Sequence, residues 1–309
     1  MQEGLVSARS ARPAVPGAEA VLARVQGENF PVASHLLPRR ERGHLLALYG
    51  FARLADELGD EAPGDRLAAL DWLESELDLA YSGNAQHSLL RALEPTLRDC
   101  QLPRRAFLAL IEANRLDQRV SRYRTWEQLL GYCELSANPV GELVLGVLGL
   151  ASPERVKLSG WICTALQLTE HWQDLAEDLA RGRVYLPAED LARCGCKESD
   201  LHLAHAGAPL RRVLAWEVAR THELLDRGAP LIGTLRGRAK LAVAAFLGGG
   251  RAALAAIERA GYDVLAGPPR AGRARRALAL AAALRGAGAL GDGRGAFESG
   301  GDALGDRRR

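Results

Sequence analysis

The stretch Leu48-Tyr49-Gly50-Phe51-Ala52-Arg53-Leu54-Ala55-Asp56-Glu57-Leu58-Gly59-Asp60 sets the reading of the whole chain. Steps of four, three and four separate Tyr49, Arg53, Asp56 and Asp60, so a helix carries all four on one face. Carboxylates one turn apart can share a hard divalent cation, and Mg²⁺ takes such oxygens together with phosphate oxygens. Arg53, one turn before the pair, has the forked donors that phosphate oxygens need. A solvated helix face with an Arg53–Asp56 or Arg53–Glu57 pair satisfies the same spacing.

The device recurs more than 100 residues later. Gln167, Glu170, Asp174 and Asp178 follow steps of three, four and four, again one helical stripe. Acids one turn apart repel by roughly a few tenths of a kcal/mol per pair until a cation or basic partners relieve them. Two such helices facing across a cavity would bind a bridging Mg²⁺ cluster and a diphosphate, whose departure the metal assists by neutralising charge. Charge rows are also frequently no more than solvated faces.

The rest of the chain reads as helix. Ala, Leu, Arg and Glu dominate the 309 residues, β-branched and aromatic residues are scarce, and strand-like alternation is nowhere sustained. Pro and Gly punctuate helices at 38–61, 65–81, 103–120, from Trp126 onward, from Pro153 towards Ala180, and at 209–227, 236–246, 251–260 and 273–284. Thr125 and Ser152 stand where N-caps belong. Asn138-Pro139 interrupts the apolar pattern Leu129–Leu150, either as a kink or as a break between two short helices. The fold class is therefore all-α, with one domain over residues 17–285. A leader (1–16) and a tail (286–309) lack periodicity and are expected to be disordered.

A net charge of +2 argues against bulk nucleic-acid binding. The five cysteines, with Cys194 and Cys196 as an isolated C-x-C, form no disulfide or zinc framework and fit a reducing cytosol. No secretory signal pattern opens the chain, and the apolar segment Leu241–Gly250 stops at Arg251, short of a membrane span. A cytoplasmic protein is expected.

Three segments, taken in order, resemble the squalene and phytoene synthase family. They are Leu48 through Asp60; Tyr132-Cys133 followed by Val140-Gly141-Glu142; and Gln167-Leu168-Thr169 through Asp174, Asp178 and Gly182-Arg183-Val184-Tyr185-Leu186-Pro187. The resemblance covers about Glu28 to Arg276 and implies the isoprenoid synthase fold with a central cavity. It implies Mg²⁺ as cofactor, with Asp56, Asp60, Asp174 and Asp178 as ligands and Arg53 on the diphosphate. It places Tyr49, Tyr132 and Tyr185 in the reaction cavity, Gln167 beside the second motif and Phe30 on an aromatic wall. Arg270 and Arg273 are both candidates for a basic residue at the C-terminal end of the cavity.

Within the family, Glu28 to Ser34, Ser136 to Gly141 and Trp172-Gln173-Asp174 are most similar to the bacterial hydroxysqualene synthases of hopanoid biosynthesis. That branch implies conversion of presqualene diphosphate and water to hydroxysqualene, with release of diphosphate. Coupling enzymes of the family usually carry Arg where Gln173 stands, and losing that guanidinium removes a donor fork for diphosphate. Two departures matter: Glu57 replaces a usual Asp, and Glu170 replaces a usual Asn metal ligand while still offering oxygen. A presqualene diphosphate or phytoene synthase that couples two prenyl diphosphates is the first alternative, and a catalytically silent lipid-binding or assembly relative the second. Oily substrate and product are compatible with peripheral membrane contact, and the branch implies a functional link to other hopanoid enzymes. His35 and His171 have the pKa range of a general base. Neither is assigned a role, because His171 points about 100° off the acidic stripe.

Overall fold

The computed structural model describes residues 38–292. Helix α1 (Arg39–Asp60) is followed by α2 (Arg66–Tyr81), α3 (Ser88–Cys100), α4 (Arg104–Asp117), α5 (Trp126–Ser136) and α6 (Asn138–Val147). Then come α7 (Pro153–Gln173), α8 (Leu175–Ala180), α9 (Ala188–Arg193) and a 3₁₀ turn, Glu198–His202. The chain continues through α10 (Ala208–Gly228), α11 (Pro230–Thr234), α12 (Gly237–Arg259) and α13 (Arg273–Asp292). No strand occurs among the described residues, where Arg122 and Val184 form only an isolated bridge.

Side-chain caps fix three of the helix starts. Asp65 accepts from Ala68 N, Thr125 from Gln128 N and Ser152 from Arg155 N, each satisfying a donor that the first turn leaves open. Gln128 returns its own side chain to Arg124 N at 2.9 Å, one residue earlier than a standard capping box. At Asn138-Pro139 the chain breaks: α5 ends, Ala137 makes the link, and Pro139 lies in the first turn of α6.

Four expectations are corrected. The helix expected to run to Ala180 stops at Gln173, because Asp174 (φ −99°, ψ 17°) leaves helical geometry before α8 resumes. The segments 236–246 and 251–260 form one helix, α12, which passes through Gly248-Gly249-Gly250. Packing demands two of these glycines: a Cβ at Gly248 would meet the α13 backbone at Leu280 N, 2.8 Å away, and one at Gly250 would meet Leu166 at 2.8 Å. Joined in this way, α12 is long and apolar enough to cross a membrane by length and composition, but half of that window is buried within the fold. Helix α3 lies in a stretch for which no helix was anticipated; Leu89, Leu90, Leu93 and Leu97 form its buried face around Pro95. Helix α13 runs past Gly286 to Asp292, into the stretch expected to be disordered. The rest of that tail, the leader, Phe30 and His35 lie outside the described residues.

One core joins α1–α4 and α6 around Phe51, Leu54, Leu58, Leu73, Leu90 and Phe107, with Phe51 and Phe107 edge to face at 4.9 Å. A second joins α5, α7, α10 and α12 around Leu129, Leu168, Trp172, Leu214 and Leu254. Trp172 is fully buried and donates to Thr221 Oγ1 at 2.9 Å, which fixes α7 on α10. The segment between α8 and α9 is fastened from below. Arg220 of α10 donates to Asp190 of α9 at 2.5 Å and to Glu217 at 2.6 Å, and its guanidinium lies over the Trp126 ring at 3.9 Å.

Glu217 has no solvent exposure, and burial pushes its pKa up to about 8, with Arg220 pulling it down and Asp190 raising it. It therefore keeps a proton near neutrality that the unfolded chain releases above the ordinary glutamate value. Over that window the folded state binds more protons, so stability falls as pH rises from about 4.5 to about 8. Glu217→Gln removes this dependence. Calorimetric melting should show wild type and variant alike near pH 5, with the wild type losing ground to the variant by pH 8.5.

Candidate active site

The two acidic stripes face each other across a cavity of about 320 Å³. Asp56 and Asp60 enter from α1, and Gln167, Glu170, Asp174 and Asp178 from α7 and α8. The break at Asp174 does not spoil the second stripe, because Asp178 N still donates to Asp174 O at 2.8 Å and keeps the step of four. Asp117 and Asn114 of α4, His171 of α7, and Arg183 and Tyr185 of the segment after α8 complete the polar wall with Tyr132 of α5.

This wall is strongly acidic. Asp56, Asp60, Asp117, Glu170, Asp174 and Asp178 stand against one lining arginine, Arg183, which bonds Asp60 at 2.7 Å. Asp56 opens onto the cavity space yet is ringed by protein. That burial pushes it up to about 6, against the Asn114 hydrogen bond and Arg53, while Asp60 and Asp117 add to the rise. Burial likewise raises Asp117 to about 6, opposed by Arg183 and by the Tyr132 hydroxyl, which donates at 2.9 Å. The other oxygen of Asp117, Oδ1, is buried with no hydrogen-bond partner. Asp174 is raised by burial and then by Glu177 and Asp178, with Arg270 acting in the opposite direction.

Behind the carboxylates lies an aromatic stack. His171 lies flat on Tyr185 at 3.6 Å, and Tyr185 packs on Tyr123 and Tyr132 at 5.7 Å each. The His171 ring meets Gln167 Nε2 at 3.3 Å and approaches Asp178 to 3.8 Å. Burial holds this imidazole below its ordinary pKa despite Asp178, which favours the neutral ring. His171, which points off the acidic stripe, is packed and buried, and it also forms part of the wall.

The structure brings together Asp56, Asp60, Tyr132, Gln167, Glu170, Asp174, Asp178 and Tyr185. Among the described residues, three other anticipated ones do not line the cavity. Tyr49 is buried in α1 and is not among the lining residues. Arg53 turns to Glu57 and Glu61, at 3.8 Å from each. Gln173 does not line the cavity, and its amide donates to the Pro269 carbonyl. Asn114, Asp117, His171 and Arg183 are additions. Asn114 and Asp117 are spaced like a stripe but contain only one acid, and Arg183 was visible only inside a family segment.

Gly59 explains how α4 comes so close. A Cβ there would fall 2.2 Å from Asn114 Oδ1, so the glycine admits Asn114, which donates to Asp56 at 3.3 Å. Gln118, one turn on, donates to the Gly59 carbonyl at 2.8 Å. No group of three or more His, Cys, Asp or Glu among the described residues is gathered closely enough to hold an ion unaided.

A family model described as squalene/phytoene synthase matches residues 23–280. The hydroxysqualene synthase of Rhodopseudomonas palustris is 37% identical over 213 residues, spanning 68% of this chain and 72% of that protein. A 15-cis-phytoene synthase of Synechococcus elongatus is 30% identical over 251 residues, spanning 77% and 82%. The crystal structure of squalene synthase HpnC from Alicyclobacillus acidocaldarius superposes with a TM-score of 0.75 at 46% identity, covering 79% of this chain and 94% of that one.

Gly59→Ala forces Asn114 aside and should cost about 1–3 kcal/mol, the usual range for overpacking. Denaturant unfolding should show a smaller cost for the same substitution in an Asn114→Ala background, where the space is free.

Proposed function

Because the chain belongs to the squalene/phytoene synthase family of all-α isoprenoid synthases, whose enzymes act on prenyl diphosphates, we propose that it converts presqualene diphosphate and water to hydroxysqualene and diphosphate. The observation that carries this reading is the pair of aspartate stripes facing across one cavity, with an aromatic stack behind them.

The donor set fits Mg²⁺. Every acidic donor offers hard oxygen, burial leaves Asp56 and Asp117 poorly compensated, and Asp117 Oδ1 has no partner. Asp56 and Asp60 on one wall, and Asp174 and Asp178 on the other, with Glu170 beside them, would hold ions jointly with substrate phosphate oxygens. Bound Mg²⁺ neutralises the charge that develops on the departing diphosphate.

The chain's own residues do the rest. The carbon–oxygen bond breaks with its electron pair leaving on diphosphate, and the cyclopropylcarbinyl cation that remains rearranges. Tyr132 and Tyr185 put aromatic rings into the wall that a passing cation would meet. The packed helices exclude bulk water, so that one water forms the new carbon–oxygen bond and releases a proton. Arg183 keeps Asp60 oriented, and the neutral His171 ring with Gln167 offers polar contacts without adding positive charge that would repel the cation.

A coupling activity is the second reading, favoured by the 30% identity to a phytoene synthase. The single lining arginine speaks for the first, because a second diphosphate would call for more cationic side chains than the walls supply. The same reading puts the enzyme in the cytoplasm, touching the membrane peripherally to exchange oily molecules, and in sequence with other hopanoid enzymes.

Purified protein given presqualene diphosphate and Mg²⁺ should yield hydroxysqualene by mass spectrometry without reduced nicotinamide. Asp56→Asn or Asp178→Asn should lower kcat by about 10²-fold or more, the size of losing a key electrostatic group. Squalene formed only with the nucleotide, or consumption of farnesyl diphosphate alone, would overturn the assignment.

A further inference from the structure

Gln173 is the last residue of α7 and immediately precedes Asp174. Its amide N–H donates to the Pro269 carbonyl oxygen. That carbonyl belongs to the peptide unit whose nitrogen is Arg270's, and a peptide unit is planar, so holding the oxygen fixes the plane from which Arg270 departs. Pro268 and Pro269 have locked φ angles, which makes the fastening stiff. Gly267 ahead of them turns the chain at φ +130°. On either side the segment is anchored farther away. Asp263 accepts from Ala206 N at 2.9 Å and Arg211 at 3.1 Å, and Ala271 packs on Ala252 and Ala256 of α12.

Gln173 is the chain neighbour of Asp174 and Pro269 that of Arg270, so this one bond brings the start of Arg270 to the end of the acidic wall. Among the described residues Arg270 is in no ion pair within 4 Å. The other cations near the acidic walls are engaged, Arg183 with Asp60 and Arg53 with Glu57 and Glu61.

We propose that Gln173 is a positioning residue: by pinning the Pro269–Arg270 peptide it holds Arg270 beside Asp174, ready to receive a diphosphate oxygen. This rests on the diphosphate reading above and deepens it. The neutral amide makes up for the guanidinium missing at its own position by fixing one that arrives from the segment between α12 and α13.

Calorimetric titration with inorganic pyrophosphate and Mg²⁺ would compare wild type, Gln173→Met, Arg270→Met and the double variant. Amide hydrogen exchange over residues 264–272 would be followed in parallel. Gln173→Met should bind about tenfold more weakly, the scale of one hydrogen bond to a charged group, and its exchange over that segment should rise. The double variant should bind no worse than Arg270→Met alone. Losses that multiply in the double variant would mean that Gln173 meets the ligand itself, which overturns the proposal. Unchanged exchange, or wild-type affinity in Gln173→Met, overturns it as well. A wild-type protein that ignores pyrophosphate with Mg²⁺ overturns the diphosphate reading and this proposal together; intact wild-type binding matched by Gln173→Met removes the proposal only.

Discussion

Carboxylates gathered in a space walled by protein repel one another and lose the water that stabilises their charge; of the six around this cavity, Asp56, Asp117 and Asp174 feel both effects. The helices would relax apart if nothing opposed the repulsion. What opposes it is packing on the far sides of the same helices. Phe51, Leu54 and Leu58 lock α1 into one core, and Leu168 and Trp172 lock α7 into another. Stability from those cores is stored as electrostatic strain at the site, and a cation with a diphosphate would release it. Burial raises Asp56, Asp117 and Asp174 for the same reason.

Both walls were legible in the sequence because each is written in helical spacing. Asp56 and Asp60 needed only a continuous helix. Asp174 and Asp178 tolerated the break between α7 and α8, since one hydrogen bond across it preserved the register. Caps at Asp65, Thr125 and Ser152 were legible for a similar reason, being local chemistry between residues three apart. Contacts between distant segments were not. The glycine run in α12 looked like a break and is a docking surface for α13 and Leu166. Helix α3 went unmarked although four of its leucines are buried on one face, with Pro95 inside it.

Long, flexible side chains were the least legible part of the site. Arg53 was one turn from Asp56, yet its guanidinium pairs with Glu57 and Glu61. Gln173 was singled out for what it lacks, while its use lies in a bond to Pro269. Asp117 went unmarked because its importance comes from Tyr132 and Arg183, which approach from other elements. Family resemblance named the chemistry, and only the folded arrangement distinguished residues that meet the cavity from residues that support it.

The central claim is that the acidic cavity is a receptor for a divalent cation with diphosphate. Carbon-13 NMR of aspartate carboxyls reads this directly, because Asp56 should titrate near 6 in the free protein. Adding Mg²⁺ and pyrophosphate together should move that midpoint well below 6, as a bound cation favours the ionised form. A midpoint that stays near 6 with both present would contradict the account.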